Sequence, residues 1–228
     1  MRRDFFVTGT DTGVGKTLVT AAVLRRLREA GHTVAGMKPV AAGASRGPAG
    51  PVNDDALLLQ AESSARHPYA VVNPYLFEPP IAPHLAAAAA AVRIDFARIA
   101  AALARLRAAA DVVLVEGAGG LLVPLDEQRS LAELPRLLGL EVILVVGLRL
   151  GCLNHALLTA EAARARGLAL AGWVGNRIDP QFAYCEENIA TLRALLPAPC
   201  LGIVPWQAAP SISATAAALT GAAALTDG

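Results

Sequence analysis

Short aliphatic runs recur along the chain and limit the folds that it can adopt. They are predicted as strands at residues 5–8, 33–37, 112–115, 142–146, 170–174 and 201–204. None of the runs alternates polar with apolar residues, and such strands are buried on both faces, as in parallel sheets covered by crossover helices. The sequence therefore predicts an α/β fold, with a mostly parallel sheet and helices on both faces.

Segments of helical composition separate these runs, and two further stretches depart from the alternation. Residues 41–53 are rich in Gly, Ala and Pro, and we expect a surface loop there that stays mobile until a ligand binds. The six-alanine run 86–91 follows Pro83-His84-Leu85, which favours a short helix. Ser130 and Glu133 have the spacing of a capping box. The other helices are predicted from 16 to near 31 and at about 55–64, 95–109, 130–139, 152–166 and 184–196.

Charge and cysteine content exclude several classes of protein. The 228 residues show no break in composition, so residues 1–228 are predicted to form a single domain. The formal net charge of +1 is too small to hold nucleic acid or an anionic membrane surface. The three cysteines lack CxxC spacing, which disfavours a disulfide framework or zinc site and favours a reducing cytoplasm. No stretch approaches the length of a membrane span, and the apolar run before Gly9 is too short for a signal peptide, so neither is expected.

A glycine-rich loop between the first predicted strand and helix carries the clearest chemical signal. Residues 9–17 are Gly-Thr-Asp-Thr-Gly-Val-Gly-Lys-Thr. The backbone amides of such a loop can surround phosphate oxygens, Lys16 can reach the β- and γ-phosphates, and the Thr17 hydroxyl can bind Mg²⁺. The strict G-x-x-x-x-G-K-[ST] pattern is missed by one position, because Thr10 occupies the place of the first glycine. Binding of ATP or GTP is therefore predicted.

Other charged residues follow neighbouring strands. Glu116 ends the third predicted strand beside a Gly-rich segment, where it can bind magnesium. Lys38 closes the second strand, and parallel strands direct it to the same crevice as Lys16. These two are the chain's only lysines, against 18 arginines. Asp54 and Asp55 open the next helix; Asp55 can face the metal and Asp54 can be a helix-start charge, but the residues alone do not decide between them.

Short motifs continue through nearly the whole chain in a characteristic order. They are residues 9–17, 38–43, 53–56, 73–75, 80–84, 116–120, 151–156, 176–177 and 203–206. Their order and spacing resemble those of the dethiobiotin synthetase family. The resemblance implies a homodimeric P-loop NTPase fold and an ATP- and Mg²⁺-dependent cyclo-ligase. Such an enzyme closes a cyclic urea from 7,8-diaminononanoate (diaminopelargonate) and CO₂, a late step of biotin biosynthesis.

The resemblance also implies which residues hold the metal and the nucleotide. Mg²⁺ ligation is implied for Thr17, Asp55 and Glu116, which selects Asp55 over Asp54. Gly13 departs from the family, which often has Glu at this position. The implied nucleotide contacts are Gly13, Val14, Gly15, Lys16, Thr17, Leu18, Asp55, Glu116, Gly117, Ala118, Gly119, Asn176, Arg177, Pro205, Trp206 and Gln207.

For the diamine substrate, the resemblance implies contacts from two subunits. Lys16 and Lys38 are the implied catalytic residues, and with Thr12 they contact the reacting end. Ala42 lies at a substrate position where the family often has Ser or Thr. The distant carboxylate is received by Gly151-Cys152-Leu153 of the second subunit, at a helix N-terminus, where amide groups favour an anion. The substrate is thus expected at the interface of a homodimer, with Cys152 as a packing residue rather than a nucleophile.

One alternative is a ParA- or MinD-like ATPase switch that controls partner or membrane binding. Such proteins carry an additional lysine in the phosphate loop, and that position is Asp11 here, which has the opposite charge. The sequence also lacks the amphipathic tail or basic surface that these switches use.

An amidotransferase of the cobyric acid synthase type would need a glutaminase domain that 228 residues do not accommodate. Both alternatives are therefore less favoured than the synthetase.

Overall fold

Strands and helices alternate along the chain, as the sequence predicts. The computed structural model describes residues 4–48 and 50–226. The strands are β1 (Phe5–Gly9), β2 (Val34–Met37), β3 (Val40–Ala42), β4 (Ser45–Gly47), β5 (Gly50–Val52), β6 (Tyr75–Phe77), β7 (Val112–Gly120), β8 (Glu141–Leu148), β9 (Leu170–Arg177) and β10 (Cys200–Val204). The helices are α1 (Lys16–Glu29), α2 (Asp54–Glu62), α3 (Tyr69–Val72), α4 (Pro83–Ala89), α5 (Phe96–Arg107), α6 (Glu133–Leu138), α7 (Cys152–Ala165), α8 (Cys185–Leu195) and α9 (Ile212–Ala218), followed by a 3-10 helix at Thr220–Leu225.

Six of the strands form one parallel sheet in the order β10-β9-β8-β1-β7-β2. The first strand lies inside the sheet, with Phe5 opposite Leu114 of β7 on one side and Glu141 of β8 on the other. The second strand is at the edge and pairs with β7. The predicted parallel sheet is confirmed. Because the strands are parallel, their carboxyl ends meet at one edge, where the loops that follow them can form a common site.

Helices pack on both faces of this sheet. Within β1, Phe5 and Val7 join a buried cluster with α1 and α9, whereas Phe6 joins a cluster that includes α5. A third cluster packs α7 and α8 around the fully buried Trp173 of β9. Strand residues therefore contribute to apolar layers on both sides of the sheet, which explains why these strands lack polar alternation.

Short strands lie within the segment 41–53, namely the end of β3 and all of β4 and β5, so the predicted loop is wrong for those residues. The β3 strand pairs in parallel with β6 in a small second sheet, and β4 and β5 form an antiparallel hairpin. Arg46 lies opposite Pro51 in this hairpin. Proline has no backbone N–H, so it fits in a strand at a position where no backbone hydrogen bond has to be donated. The Gly and Pro residues that suggested a loop instead belong to a two-stranded hairpin. The expected mobility of this segment stays a prediction.

The predicted helices that correspond to α1, α2, α5, α7 and α8 agree closely with the structure, whereas α6 differs and α3 and α9 were not predicted. The α6 helix begins at Glu133 instead of 130, because Ser130 forms an isolated bridge with Pro124. The predicted capping box is wrong, since the N-cap is Ala132 and no side chain caps the helix among the described residues. The predicted short helix in the alanine run is confirmed in part, because α4 includes Ala86 to Ala89 but ends before Ala90 and Ala91. Across residues 4–48 and 50–226, the helices are too short or too polar for one to cross a membrane.

Candidate active site

The predicted phosphate loop joins β1 to α1 at the carboxyl edge of the sheet. Gly13 and Gly15 have φ angles of 75° and 88°, values that glycine adopts without steric cost. Asn176 of β9 donates its Nδ2–H to the Val14 carbonyl at 2.9 Å. A methyl group on Gly15 would collide with that Asn176 amide. Both the backbone angle and this close approach therefore require glycine directly before Lys16.

Lys16 begins α1 and is nearly buried, with 7% of its surface exposed. Its Nζ donates to the Asp11 carbonyl at 2.9 Å. Among the described residues, no carboxylate lies within 4 Å of this ammonium group. Burial and, to a smaller extent, repulsion from Lys38 lower the pKa of Lys16 to about 8, against the attraction of nearby carboxylates. The Lys16 ammonium therefore lacks a direct counter-ion within this part of the protein.

Lys38 follows β2 and is 4% exposed. Its Nζ donates to Glu116 Oε1 at 2.6 Å, to Asp55 Oδ2 at 2.9 Å and to the Gly117 carbonyl at 3.3 Å. Burial opposes the charged form, but the two carboxylates outweigh it and raise the pKa of Lys38 above its usual value. Lys38 is therefore a buried ammonium group with both carboxylates in direct contact.

The structure distinguishes Asp54 from Asp55, which the residues alone did not. Asp55 points to Lys38, whereas Asp54 Oδ1 accepts a hydrogen bond from the Ser45 hydroxyl at 3.0 Å and is exposed. Burial opposes ionisation of Asp55, but the Lys38 charge outweighs it and lowers the pKa of that carboxyl. Asp55 therefore stays ionised at neutral pH beside Lys38.

Three oxygen-bearing side chains converge where Mg²⁺ ligation is predicted. Thr17 donates its hydroxyl to Glu116 Oε1 at 2.8 Å. Glu116 lies within β7 and is fully buried, and its Oε2 has no hydrogen-bond partner among the described residues. Mg²⁺ prefers oxygen ligands and often takes one or two carboxylates together with phosphate oxygens and water. In residues 4–48 and 50–226, no group of three or more His, Cys, Asp or Glu could hold a metal by itself. These donors thus fit a magnesium ion that is shared with a nucleotide.

A cavity of about 680 Å³ opens beside these groups. It brings together many of the predicted site residues from the phosphate loop, β3, α2 and β7. The predicted residues that line it are Thr12, Gly13, Gly15, Lys16, Thr17, Lys38, Ala42, Asp55, Ala118 and Gly119. The Ala42 side chain at this wall offers no hydroxyl, so a polar contact to substrate at this position must come from another residue.

Other lining residues were not predicted as site residues. They are Ala41, Asn53, Pro80, Ile81, Ala82, Pro83 and Val123. Asn53 and the stretch 80–84 occur among the sequence motifs that carry the family resemblance, which was the available signal. None of these seven residues carries a charge, so their types gave no independent reason to assign chemistry to them.

The residues predicted to contact the nucleotide base do not line this cavity; they lie at the carboxyl end of β9 and directly after β10. Asn176 bonds the phosphate loop, and Arg177 forms an ion pair with Glu186. Gln207 donates Nε2–H to Thr215 Oγ1 at 3.1 Å and accepts from the Ser211 amide at 2.9 Å. The predicted nucleotide residues that do not line the cavity are Val14, Leu18, Glu116, Gly117, Asn176, Arg177, Pro205, Trp206 and Gln207.

The predicted carboxylate-binding turn, Gly151-Cys152-Leu153, also lies outside the cavity, at the start of α7. Gly151 is the N-cap, with φ 93°, and no side chain of the described residues caps the helix. Cys152 is buried in an apolar cluster, and burial raises the pKa of its thiol, in agreement with a packing role. Near this turn, Arg149 forms an ion pair with Asp11 of the phosphate loop at 2.6 Å.

Comparison with known proteins adds sequence relatives that share most of the chain. A family model described as an AAA domain matches residues 3–211. Proteins named ATP-dependent dethiobiotin synthetase BioD are similar over nearly their full length. One from Pseudomonas paraeruginosa is 54% identical over 94% of this chain and 95% of its own. Another, from Aromatoleum aromaticum, is 52% identical over 95% and 96%. A third, from Xanthomonas oryzae pv. oryzae, is 53% identical over 89% and 91%.

Solved structures are similar in fold at much lower identity. The MinD cell division protein of Aquifex aeolicus has a TM-score of 0.58 at 16% identity, covering 99% of this chain and 97% of that protein. A ParA family ATPase from Chlorobium tepidum has a TM-score of 0.53 at 15% identity, covering 100% and 94%. These likenesses confirm a P-loop NTPase fold. At such identities they give no support to the ATPase-switch alternative beyond the fold itself.

Proposed function

Since the chain belongs to the ATP-dependent dethiobiotin synthetase family, we propose that it closes the ring of dethiobiotin from 7,8-diaminononanoate and CO₂, using ATP and Mg²⁺. Family membership makes it an ATP-dependent ligase of biotin synthesis. The finer proposal depends on one observation, two nearly buried lysines at one cavity, Lys16 and Lys38. One cation suits the nucleotide phosphates, and the second suits an additional anion such as a carbamate.

The proposed reaction has three steps. One amine of the diamine adds to CO₂ and loses a proton, which gives a carbamate. A carbamate oxygen then attacks the γ-phosphorus of ATP, the bond from that phosphorus to the bridging oxygen breaks, and ADP leaves. The second amine attacks the carbonyl carbon of this mixed anhydride, loses a proton and expels phosphate as the urea ring closes.

The chain's own contribution is placement and charge compensation. Lys16 and the amides of the phosphate loop hold the β- and γ-phosphates, while Thr12 and Lys38 contact the reacting end of the diamine. The Lys38 ammonium holds the carbamate in line with the γ-phosphorus. The existing contacts of Lys38 with Glu116 and Asp55 support this role, because they keep it charged at neutral pH.

Thr17, Asp55 and Glu116 are the residues that would hold Mg²⁺. When bound, the ion neutralises negative charge on the transferring phosphoryl group. Support comes from the oxygen character of the three side chains and from the buried Glu116 Oε2, which has no hydrogen-bond partner in the described part of the chain.

We further propose a cytoplasmic homodimer in which each subunit completes its neighbour's site. Residues 151–153 do not line the cavity of their own subunit, which supports a role toward a substrate held by another copy. Asn176, Arg177 and residues 205–207 are proposed to contact the nucleotide base from the adjacent strand ends.

The test is an assay with ATP, Mg²⁺, bicarbonate and 7,8-diaminononanoate, each omitted in turn. We expect a urea product that depends on all four components. Lys38→Gln should lower kcat about 100-fold, the usual cost of one lost charge-stabilising contact. Near-normal turnover of that variant with saturating substrate would remove Lys38 from the mechanism. ATP hydrolysis without urea, stimulated by a protein or lipid partner, would favour the ATPase switch instead.

A further inference from the structure

A chain of hydrogen bonds connects the backbone of Lys38 to the start of the helix that carries Asp55. At the first link, the Lys38 amide donates to the Val72 carbonyl at 2.8 Å. Asn73, which is 3% exposed, donates Nδ2–H to the Lys38 carbonyl at 2.6 Å and to the Tyr75 carbonyl at 3.0 Å. Both polar backbone groups of Lys38 are therefore fixed by the segment 72–73.

The chain continues through the Tyr69 hydroxyl. This hydroxyl donates to Asn73 Oδ1 at 2.9 Å and accepts from the Asn53 amide at 2.8 Å. Asn53 is the N-cap of α2, where its Oδ1 accepts from the Ala56 amide at 3.3 Å, and its Nδ2 donates to the Gly43 carbonyl at 3.0 Å. A single hydroxyl thus connects the residue that holds Lys38 to the cap of the helix whose first turn contains Asp55.

We propose that Tyr69 and Asn73 are positioning residues that set the relation of Lys38 to Asp55; the inference rests on the proposed function of these two groups. Lys38 follows the edge strand of the sheet, and Asp55 lies on the short helix α2. Their side chains meet at 2.9 Å. The hydrogen-bond chain adds a second connection through the backbone, which limits independent movement of the two elements. Small misplacements of reacting groups cost large factors in rate, so such a connection affects the chemistry directly.

A second tyrosine provides a matched control. The Tyr75 hydroxyl accepts from the Asp95 amide at 2.8 Å, and Asp95 is the N-cap of α5. Both hydroxyls therefore accept from the backbone amide of a helix N-cap residue. They differ in the bond that they donate, which goes from Tyr69 to the Asn73 side chain at 2.9 Å and from Tyr75 to the Asp95 carbonyl at 3.4 Å. The α5 helix carries none of the predicted site residues. Loss of either hydroxyl should have a similar effect on folding, but only the Tyr69 hydroxyl leads to the site.

The experiment compares Tyr69→Phe with Tyr75→Phe in the full chain. We expect similar small decreases in melting temperature. Tyr69→Phe should lower kcat for urea formation about tenfold, as outer positioning residues commonly do, and should weaken Mg²⁺ binding in the presence of ADP, measured by calorimetry, by a similar factor. Tyr75→Phe should change neither quantity. Equal effects of the two substitutions on kcat and on Mg²⁺ binding would overturn the proposal.

A double variant tests whether Tyr69 acts through Asp55. In an Asp55→Asn background, Tyr69→Phe should weaken Mg²⁺ binding no further, because the group that it positions is already lost. Additive losses would overturn the proposal. If the wild-type protein forms no urea, the proposed reaction fails, whereas the binding comparison of the two tyrosine variants still measures the positioning effect.

Discussion

The phosphate-loop region around Lys16 and the strand-end region around Lys38 use the same type of residue in opposite electrostatic settings. Both lysines are nearly buried at one cavity. Lys16 bonds a backbone carbonyl and its pKa falls to about 8, whereas Lys38 contacts two carboxylates and its pKa rises. Because burial is similar, the partner decides the direction of the shift. In the structure the charge of Lys38 is balanced directly by two carboxylates, whereas that of Lys16 has no direct carboxylate partner among the described residues.

The largest expected effect is a difference in stability between two matched substitutions. Lys38→Met leaves the fully buried Glu116 carboxylate without its cation, and should lower the free energy of unfolding by about 3–5 kcal/mol. Lys16→Met replaces a desolvated ammonium group with an apolar side chain of similar length. This substitution should change the free energy of unfolding by about 1 kcal/mol or less. Urea denaturation without nucleotide measures both values. Equal losses would show that the two lysines are not held differently.

The second prediction concerns pH and the lowered pKa of Lys16. Between about pH 8 and pH 10.5, the unfolded chain binds more protons at this residue than the folded chain does, so this residue makes the free energy of unfolding rise with pH. The free energy of the wild type relative to Lys16→Met should therefore increase by about 2 kcal/mol across that window. For Lys38 the free energy of unfolding changes with pH in the opposite direction. The stabilisation that its charged form provides is lost as pH rises through its raised pKa. Denaturation of the wild type and of Lys16→Met at several pH values measures this effect. A difference in the free energy of unfolding that stays constant with pH would contradict the prediction.

The smallest expected effect is at the edge of the phosphate-loop region. Asp11 and Arg149 pair at 2.6 Å, but their side chains are 45% and 44% exposed. Exposed ion pairs contribute little, so Arg149→Met should lower the free energy of unfolding by less than about 1 kcal/mol, and added salt should reduce the loss. A loss of about 3 kcal/mol in the free energy of unfolding, unaffected by salt, would show that this ion pair contributes to the electrostatic environment of Lys16.

Much of the central fold could be predicted, because strands buried on both faces leave a continuous aliphatic pattern. The same pattern placed Lys16, Lys38 and Glu116 at one edge, since parallel strands share the direction of their carboxyl ends. The segment 41–53 was harder, because its Gly and Pro residues are typical of turns as well as of a short hairpin. The start of α6 depended on a bridge between Ser130 and Pro124 that local spacing does not reveal.

The second layer of the site could not be predicted from spacing. Tyr69, Asn73 and Asn53 come together through the fold, and asparagine is common at helix caps whatever its further contacts. The choice between Asp54 and Asp55 depends on the rotation of α2 against β2, which local sequence does not determine. Hydrogen bonds between distant segments thus hold the information that the motifs lack.

The central place of β1 affects how the molecule assembles during folding. Both neighbours of this strand, β7 and β8, begin at or beyond residue 112, so the strand that leads into the phosphate loop pairs only with segments made much later. Pairings between distant segments are slow, because loop closure costs entropy before contacts offset it. The nucleotide site is therefore completed late. A nucleotide can act as a ligand for the nearly finished fold, but it cannot guide the first steps of chain collapse.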